Sequence, residues 1–204
     1  MSNITTNKIC KRLSQINDSE WITVKFKKDI PANYSKPVRF CEAVSMAYDK
    51  DVLLSPLNVC CDGAKRCFGW MKDYDSELAR RLSLKVGISE DKTKELIKSV
   101  PVLPDIYAGI FLSKNISGDV YISYLSPCSA MKFIRTWQKT TCCSLYTGIS
   151  SVMSVCGNVA VRAFVEQQIC ISFGCPDSRE YGGLMDERLV IGIPHDIACS
   201  LIAT

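Results

Sequence analysis

The chain contains twelve cysteines and one histidine in 204 residues, and no two cysteines stand at the Cys-x-x-Cys spacing. This excludes the local motifs of thioredoxins, zinc ribbons and standard ferredoxins, which all need that spacing. The single histidine excludes a zinc site with several imidazole ligands. A site that uses several thiols must therefore be assembled by the fold, from segments that lie far apart in the sequence.

The N-terminal residues and the apolar pattern predict a cytoplasmic protein. The opening MSNITTNKICKRL has no apolar stretch of the kind found in signal peptides. No run of about 18 apolar residues occurs, so no membrane-spanning helix is expected. In a reducing compartment, surplus thiols serve metal or redox chemistry more often than structural disulfides.

Charge and motifs disfavour two large classes of function. Lys and Arg total 25 against 21 Asp and Glu, a net charge of +4, and the basic residues are scattered. A nucleic-acid-binding surface would need a denser basic stripe, so we expect no nucleic-acid partner. The chain has no G-x-S-x-G nucleophile elbow, no G-K-[ST] phosphate loop and no G-x-G-x-x-G dinucleotide motif. Nucleotide-dependent enzymes are therefore disfavoured.

Apolar periodicity and turn residues predict interleaved helices and strands. Helices are expected at residues 5–16, 40–47, 63–70, 76–86, 90–98, 128–138, 151–166 and 196–203. Strands are expected at 21–26, 51–55, 106–112, 120–125, 142–146, 169–173 and 189–193, with 106–112 and 120–125 forming a hairpin. We expect one mixed α/β or α+β domain over residues 1–204, with a helix and strand in 1–35, a core in 36–204 and a partly antiparallel sheet.

Three cysteines lie at positions where sites are commonly built. Cys61 precedes the expected start of a helix, and Cys175 lies in a turn after a strand, with Arg179 one turn away. Unpaired N–H groups and a nearby cation would favour the thiolate at both positions. Cys156 is followed by Gly157, which permits the close approach of a bulky group. The alternative is that the three are unrelated, half-buried thiols.

If these three thiols converge, their chemistry favours an iron–sulfur cluster over zinc, whose structural sites usually have four ligands. A [4Fe-4S] cluster with one open iron would accept a small-molecule ligand there. Cys128 and Cys60 are the alternatives for a fourth ligand. Arg179 and Lys65 or Arg66 would offset the cluster charge or hold an anionic ligand.

The other thiols carry weaker signals. Four have apolar neighbours and are expected to pack as small hydrophobic side chains: Cys10, Cys41, Cys170 and Cys199. The roles of Cys67, Cys142 and Cys143 stay open.

The segments KPVRFCEAV, VCCDGAKRCFGW, SPCSAMKF, CGNVAVRAF, SFGCPDSREYGG and GIPHD give the chain a resemblance to a family of archaea and anaerobic bacteria. This family is domain of unknown function 169, the archaeal conserved-region family. The resemblance implies one α/β-type domain, an anaerobic-type cytoplasmic setting, and Cys61, Cys156 and Cys175 in recurring blocks. Relatives often have proline at Asp62 and usually lack a cysteine at Cys128, which lowers Cys128 as a family-wide ligand.

Two alternatives to the iron–sulfur hypothesis remain open. One is a metal-free thiol enzyme with Cys175 as nucleophile and His195 as acid or base. The other is a non-catalytic binding or oligomeric protein whose thiols only pack. A homo-oligomer, a redox partner or a small-molecule ligand would be the expected partner, and no membrane partner is expected.

Overall fold

A six-stranded sheet runs through the part of the chain that the computed structural model describes, residues 7–30, 36–71 and 76–203. Its strands are β1 Ile22–Lys27, β2 Val52–Leu54, β3 Gly109–Ser113, β4 Val120–Leu125, β5 Cys170–Ser172 and β6 Leu189–Pro194. Their spatial order is β2-β3-β1-β4-β6-β5, and each neighbouring pair is antiparallel. The predicted mixed fold class is confirmed, with a sheet that is antiparallel throughout these strands.

Helices cover both faces of this sheet. They are α1 Asn7–Asn17, α2 Phe40–Met46, α3 Asp62–Cys67, α4 Ser76–Val86, α5 Glu90–Lys98, α6 Pro127–Thr141, α7 Arg162–Glu166, α8 Pro176–Glu180 and α9 His195–Ala203. Local sequence explains several helix starts, because the Ser89 and Ser126 side chains accept hydrogen bonds from first-turn backbone N–H groups. Pro127 occupies the first turn of α6, where its missing N–H costs nothing.

The predicted hairpin between residues 106–112 and 120–125 is wrong, because β1 lies between these strands. Val24 of β1 pairs with Leu112 of β3 on one side and with Val120 of β4 on the other. The backbone N–H of Asp119 donates to the Val24 carbonyl at 2.8 Å. A Cβ added at Gly118 would lie 2.6 Å from the Val24 carbonyl oxygen. The turn residues therefore pack against β1, and this contact cannot be predicted from the composition of the turn.

Two segments in the second half of the chain differ from their predicted structures. Residues 142–146 form no strand: α6 ends at Thr141, the following Cys142 has a left-handed φ of 56°, and four of these five residues are exposed. A strand needs a buried face, which this segment lacks. The helix predicted at 151–166 is a π-helix over Ser154–Val161 that continues into α7. The helix is continuous through Gly157. A further helix, α8, forms after Cys175, where only a turn was expected.

Alternation along the strands divides the core into two clusters, one on each face of the sheet. In β4, Ile122 and Tyr124 belong to a cluster with α2, α3 and the π-helix, whereas Tyr121 and Leu125 belong to one with α1, α6 and α9. We call these the first face and the second face. Within the described ranges, no helix combines the length and apolar character needed to cross a bilayer.

Candidate functional site

A cavity of about 170 Å³ lies on the first face, between α2, α3, α4, the π-helix and the start of α8. A single water needs only about 10–15 Å³ on this measure, so there is room for a larger group. Five thiols from four separate segments line it: Cys41, Cys60, Cys61, Cys156 and Cys175. We call this space the thiol cavity.

The three predicted site cysteines all reach the thiol cavity. Cys61 is the residue before α3, Cys156 lies in the π-helix, and Cys175 precedes α8. The fold therefore brings together thiols that are separated by 95 and 19 positions in the sequence. Among the described residues, however, no three His, Cys, Asp or Glu side chains are arranged as a group that could hold a metal ion.

The sequence led us to expect that the position of Cys61 favours the thiolate form. In the structure its surroundings favour the protonated thiol. Burial raises the pKa of Cys61 to about 11, although a hydrogen bond with the backbone of Ala64 acts in the opposite direction. Loss of hydration disfavours the charged form more than the short helix α3 favours it. The Cys61 thiol is therefore protonated near neutral pH.

Cys156 is a buried thiol held beside a second one. Its pKa is raised by the hydrogen bond with Cys67 and by burial. The neighbouring Gly157 permits this contact, because a Cβ there would lie 2.3 Å from Val100 Cγ1 and 2.8 Å from Cys67 Sγ. The bulky groups that approach Gly157 are thus side chains of the protein itself. A π-helix is uncommon and often marks a functional site.

Cys175 and Cys41 line the side of the cavity that lies between α8 and α2. The backbone N–H of Cys175 donates to Ser178 Oγ at 2.8 Å, and Pro176 opens the helix, so the position of Cys175 is well defined. Cys41 Sγ donates to the Asp177 carbonyl at 3.7 Å, and burial raises the pKa of this thiol. Cys41 was expected only to pack; its block KPVRFCEAV, which carries the resemblance, was the available signal.

The charged residues of the thiol cavity come from positions that sequence reasoning missed. Arg39, Arg81 and Lys85 line it together with the carboxylates Asp62 and Asp177. Arg39 Nε lies 3.7 Å from Asp177, which also pairs with Lys85, and Arg81 pairs with Asp62. The lining therefore carries one more positive than negative charge. No local motif connects Lys85 to Asp177, because the pair forms only in the tertiary structure.

The basic residues predicted to hold a cofactor do not line the thiol cavity. The buried Arg66 donates to the Val100 carbonyl at 3.0 Å. Arg179 donates to four backbone carbonyls, those of Phe173, Leu184, Met185 and Arg188. Both guanidinium groups hold backbone in place, and neither lines the thiol cavity.

Of the remaining predicted participants, Cys60 lines the thiol cavity, whereas Cys128 and His195 do not. Cys128 is exposed on α6, at the second face, whereas Cys60 is an exposed residue of the cavity lining. The ring of His195 contacts Tyr121 and Cys199, and none of these three lines the thiol cavity. The structure therefore does not form the Cys175–His195 pair that the metal-free enzyme hypothesis uses.

Comparison with known proteins identifies the family to which this chain belongs. The profile of the uncharacterised ArCR family, domain of unknown function 169, matches residues 18–203, so the chain belongs to this family. The chain is also similar to the uncharacterised protein MJ0308 of Methanocaldococcus jannaschii. The two are 22% identical over 194 residues, which cover 88% of this chain and 83% of that protein. No solved structure matches the chain significantly.

Proposed function

We propose that the chain binds an iron–sulfur cluster of the [4Fe-4S] type in the thiol cavity, with Cys61, Cys156 and Cys175 as ligands. The observation that carries this proposal is the convergence of five thiols from four segments on one cavity. Thiolate ligands select iron–sulfur clusters, zinc or copper(I). The only imidazole of the chain, His195, does not line the cavity, so the donor groups there are the thiols and the carboxylates of Asp62 and Asp177, which pair with basic side chains.

The charges around the cavity support a bound anionic group. Each cysteine ligand contributes one negative charge when it loses its proton, and Arg39, Arg81 and Lys85 lie on the same lining. Burial lowers the pKa of Arg39, but the nearby charges of Cys60, Asp177 and Cys61 raise it, and the net shift is upward. Arg39 therefore replaces Arg179 as the residue that we expect to stabilise ionised thiols.

Binding would require two changes in the thiols. Cys61 and Cys156 have raised pKa values, so they must lose protons, and metal binding at such a site releases those protons. The side chains must also rotate or shift, since no three of the described ones are arranged as ligands. Cys41 and Cys60 are the lining thiols available as a fourth ligand; without one, an open iron would face the cavity and accept a small molecule.

Anaerobic reconstitution tests this proposal directly. The purified chain is incubated with iron(II) and sulfide, desalted, and assayed for visible absorption and for iron and sulfide per chain. We expect a coloured protein, with at least about tenfold weaker loading in the single variants C61S, C156S and C175S, since a lost ligand costs at least as much as a lost supporting contact. The control is C128S, which alters an exposed thiol away from the cavity.

A colourless, iron-free wild-type chain would overturn the proposal, and so would equal loading by C128S and the three cavity variants. Protection of the cavity thiols from alkylation after reconstitution gives a second readout.

Twelve free thiols agree with a reducing cytoplasmic location, which we include in the proposal together with a redox partner or a small-molecule ligand.

A further inference from the structure

A contact between a cysteine and the histidine of the chain lies on the second face, away from the thiol cavity. Cys199 Sγ is 3.4 Å from His195 Nε2, and His195 Nδ1 is 3.2 Å from the Tyr121 hydroxyl. None of these three residues lines the thiol cavity. Any chemistry at this cluster is therefore independent of the proposed iron–sulfur site.

Local structure explains why the imidazole meets the thiol. Strand β6 ends at Pro194, and α9 begins at His195, whose backbone N–H donates to the Asp119 carbonyl at 3.0 Å. Cys199 follows four residues later, so both side chains lie on the same side of the helix. The buried Tyr121 ring stacks on the imidazole with centroids 6.1 Å apart. The histidine is thus held between a fixed phenol and the thiol.

The Cys199 thiol needs a neighbouring base before it can react. Burial and the charge of Asp196 raise the pKa of the Cys199 thiol, so it is protonated near neutral pH. The thiolate is the reactive form, which means that the proton must be removed before reaction. Histidine is the side chain that most often does this, and Nε2 is within hydrogen-bond distance of the sulfur. Both residues are only half-buried, so a small reagent can reach them.

We propose that Cys199 is a thiol–disulfide exchange site that reacts with low-molecular-weight disulfides, with His195 as its base. His195 Nε2 takes the thiol proton, and the sulfur of Cys199 attacks one sulfur of the disulfide. The disulfide bond of the reagent breaks as a bond between Cys199 and one half forms. The other half leaves as a thiolate and receives the proton from His195. The disulfide is reduced as Cys199 is oxidised, and no further oxidant is required.

The test measures where a neutral disulfide reacts first. The metal-free, fully reduced chain is treated with 4,4′-dithiodipyridine, quenched at intervals, and analysed by peptide mass spectrometry. The exposed thiols Cys128 and Cys142 are references within the same molecule. General-base assistance is typically worth at least about a hundredfold, so we expect Cys199 to react at least about tenfold faster than either reference despite its partial burial. In H195Q this advantage should disappear.

Two controls keep the outcome interpretable. The buried thiols Cys10 and Cys170 become reactive only if the fold is lost, so their protection shows that H195Q is folded. The variant C199S should load iron as the wild type does, because Cys199 is not on the thiol cavity. A Cys199 rate no higher than the references, or one that H195Q does not lower, overturns the inference without bearing on the iron–sulfur proposal.

Discussion

At the scale of single residues, contacts around Gly157 place Cys156 in the wall of the thiol cavity. Cys67 of α3 and Val100, which follows α5, both pack against the π-helix at this point. Any side chain at Gly157 would push these neighbours away, since a Cβ would lie 2.3 Å from Val100. Close packing in protein interiors leaves little space to absorb such a clash.

We therefore expect Gly157→Ala to lower the free energy of unfolding by about 1–3 kcal/mol, the usual cost of overpacking a core. Urea denaturation followed by circular dichroism measures this change. The matched control is Gly148→Ala, where the nearest atom to the new Cβ belongs to the Arg162 guanidinium at 3.4 Å. That control should change stability by less than about 0.5 kcal/mol. Equal effects of the two substitutions would show that the contact at Gly157 is not a tight one.

At the scale of elements, Arg179 holds the segment that carries Cys175. The guanidinium donates to carbonyls on both sides of α8, from Phe173 before the helix to Arg188 after it. Five N–H donors in a planar fork make several such bonds at once, which the point charge of lysine cannot reproduce. This arrangement gives Arg179 a structural role, whereas the sequence led us to predict a cofactor contact.

Arg179→Lys should therefore increase amide hydrogen exchange within residues 173–188 while β1 and β4 stay protected. The expected loss of global stability is about 0.5–1.5 kcal/mol, the net contribution of a typical hydrogen bond, because most of these contacts are exposed to water. Hydrogen–deuterium exchange with mass spectrometry locates the change. If Arg179 instead acted on a cofactor, the variant would reduce cluster loading with no change in exchange.

At the scale of the whole molecule, the sheet separates two groups of thiols. The first face holds the thiol cavity, with five cysteines and paired charges, and the second face holds the His195–Cys199 cluster. Burial raises the pKa of several first-face thiols, including Cys41, Cys61 and Cys170. The metal-free fold therefore favours protonated thiols, which links its stability to pH.

The stability of the metal-free chain should fall as the pH rises above about 9. The native pKa of Cys61 is about 11, against an ordinary value of 9.0, so the native state holds this proton more tightly than the unfolded state does. The stabilisation is complete below pH 9 and is lost as the pH approaches 11. Denaturation under reducing conditions should show a shallower decline in C61S, by up to about 1.4 kcal/mol per pH unit. An identical decline in C61S and in wild type would contradict the assignment; C128S serves as the control.

Much of the local structure could be predicted because its causes are local. The caps Ser89 and Ser126 satisfy backbone groups within their own first turns, and α4 and α5 have the bounds that their apolar spacing predicts. The expectation that Cys61, Cys156 and Cys175 belong to a site rested on neighbouring residues, as glycine, proline and helix starts are visible in one sequence, and all three line the thiol cavity. The failed hairpin shows the limit, because the strand that pairs with both β3 and β4 is β1, whose residues lie 82 to 100 positions before their partners.

From the sequence alone it follows that the chain is a mixed helix-and-strand protein and that any thiol site must be built from distant segments. The tertiary structure sets which groups meet: Cys41 joins the thiol cavity, Arg39 lines it whereas Arg179 bonds to backbone, and His195 contacts Cys199 instead of Cys175. The physical reason is that side-chain contacts depend on strand order and on which face of the sheet a helix packs against. Burial, in turn, decided the protonation of the thiols, because the cost of dehydrating a charge depends on everything packed around it.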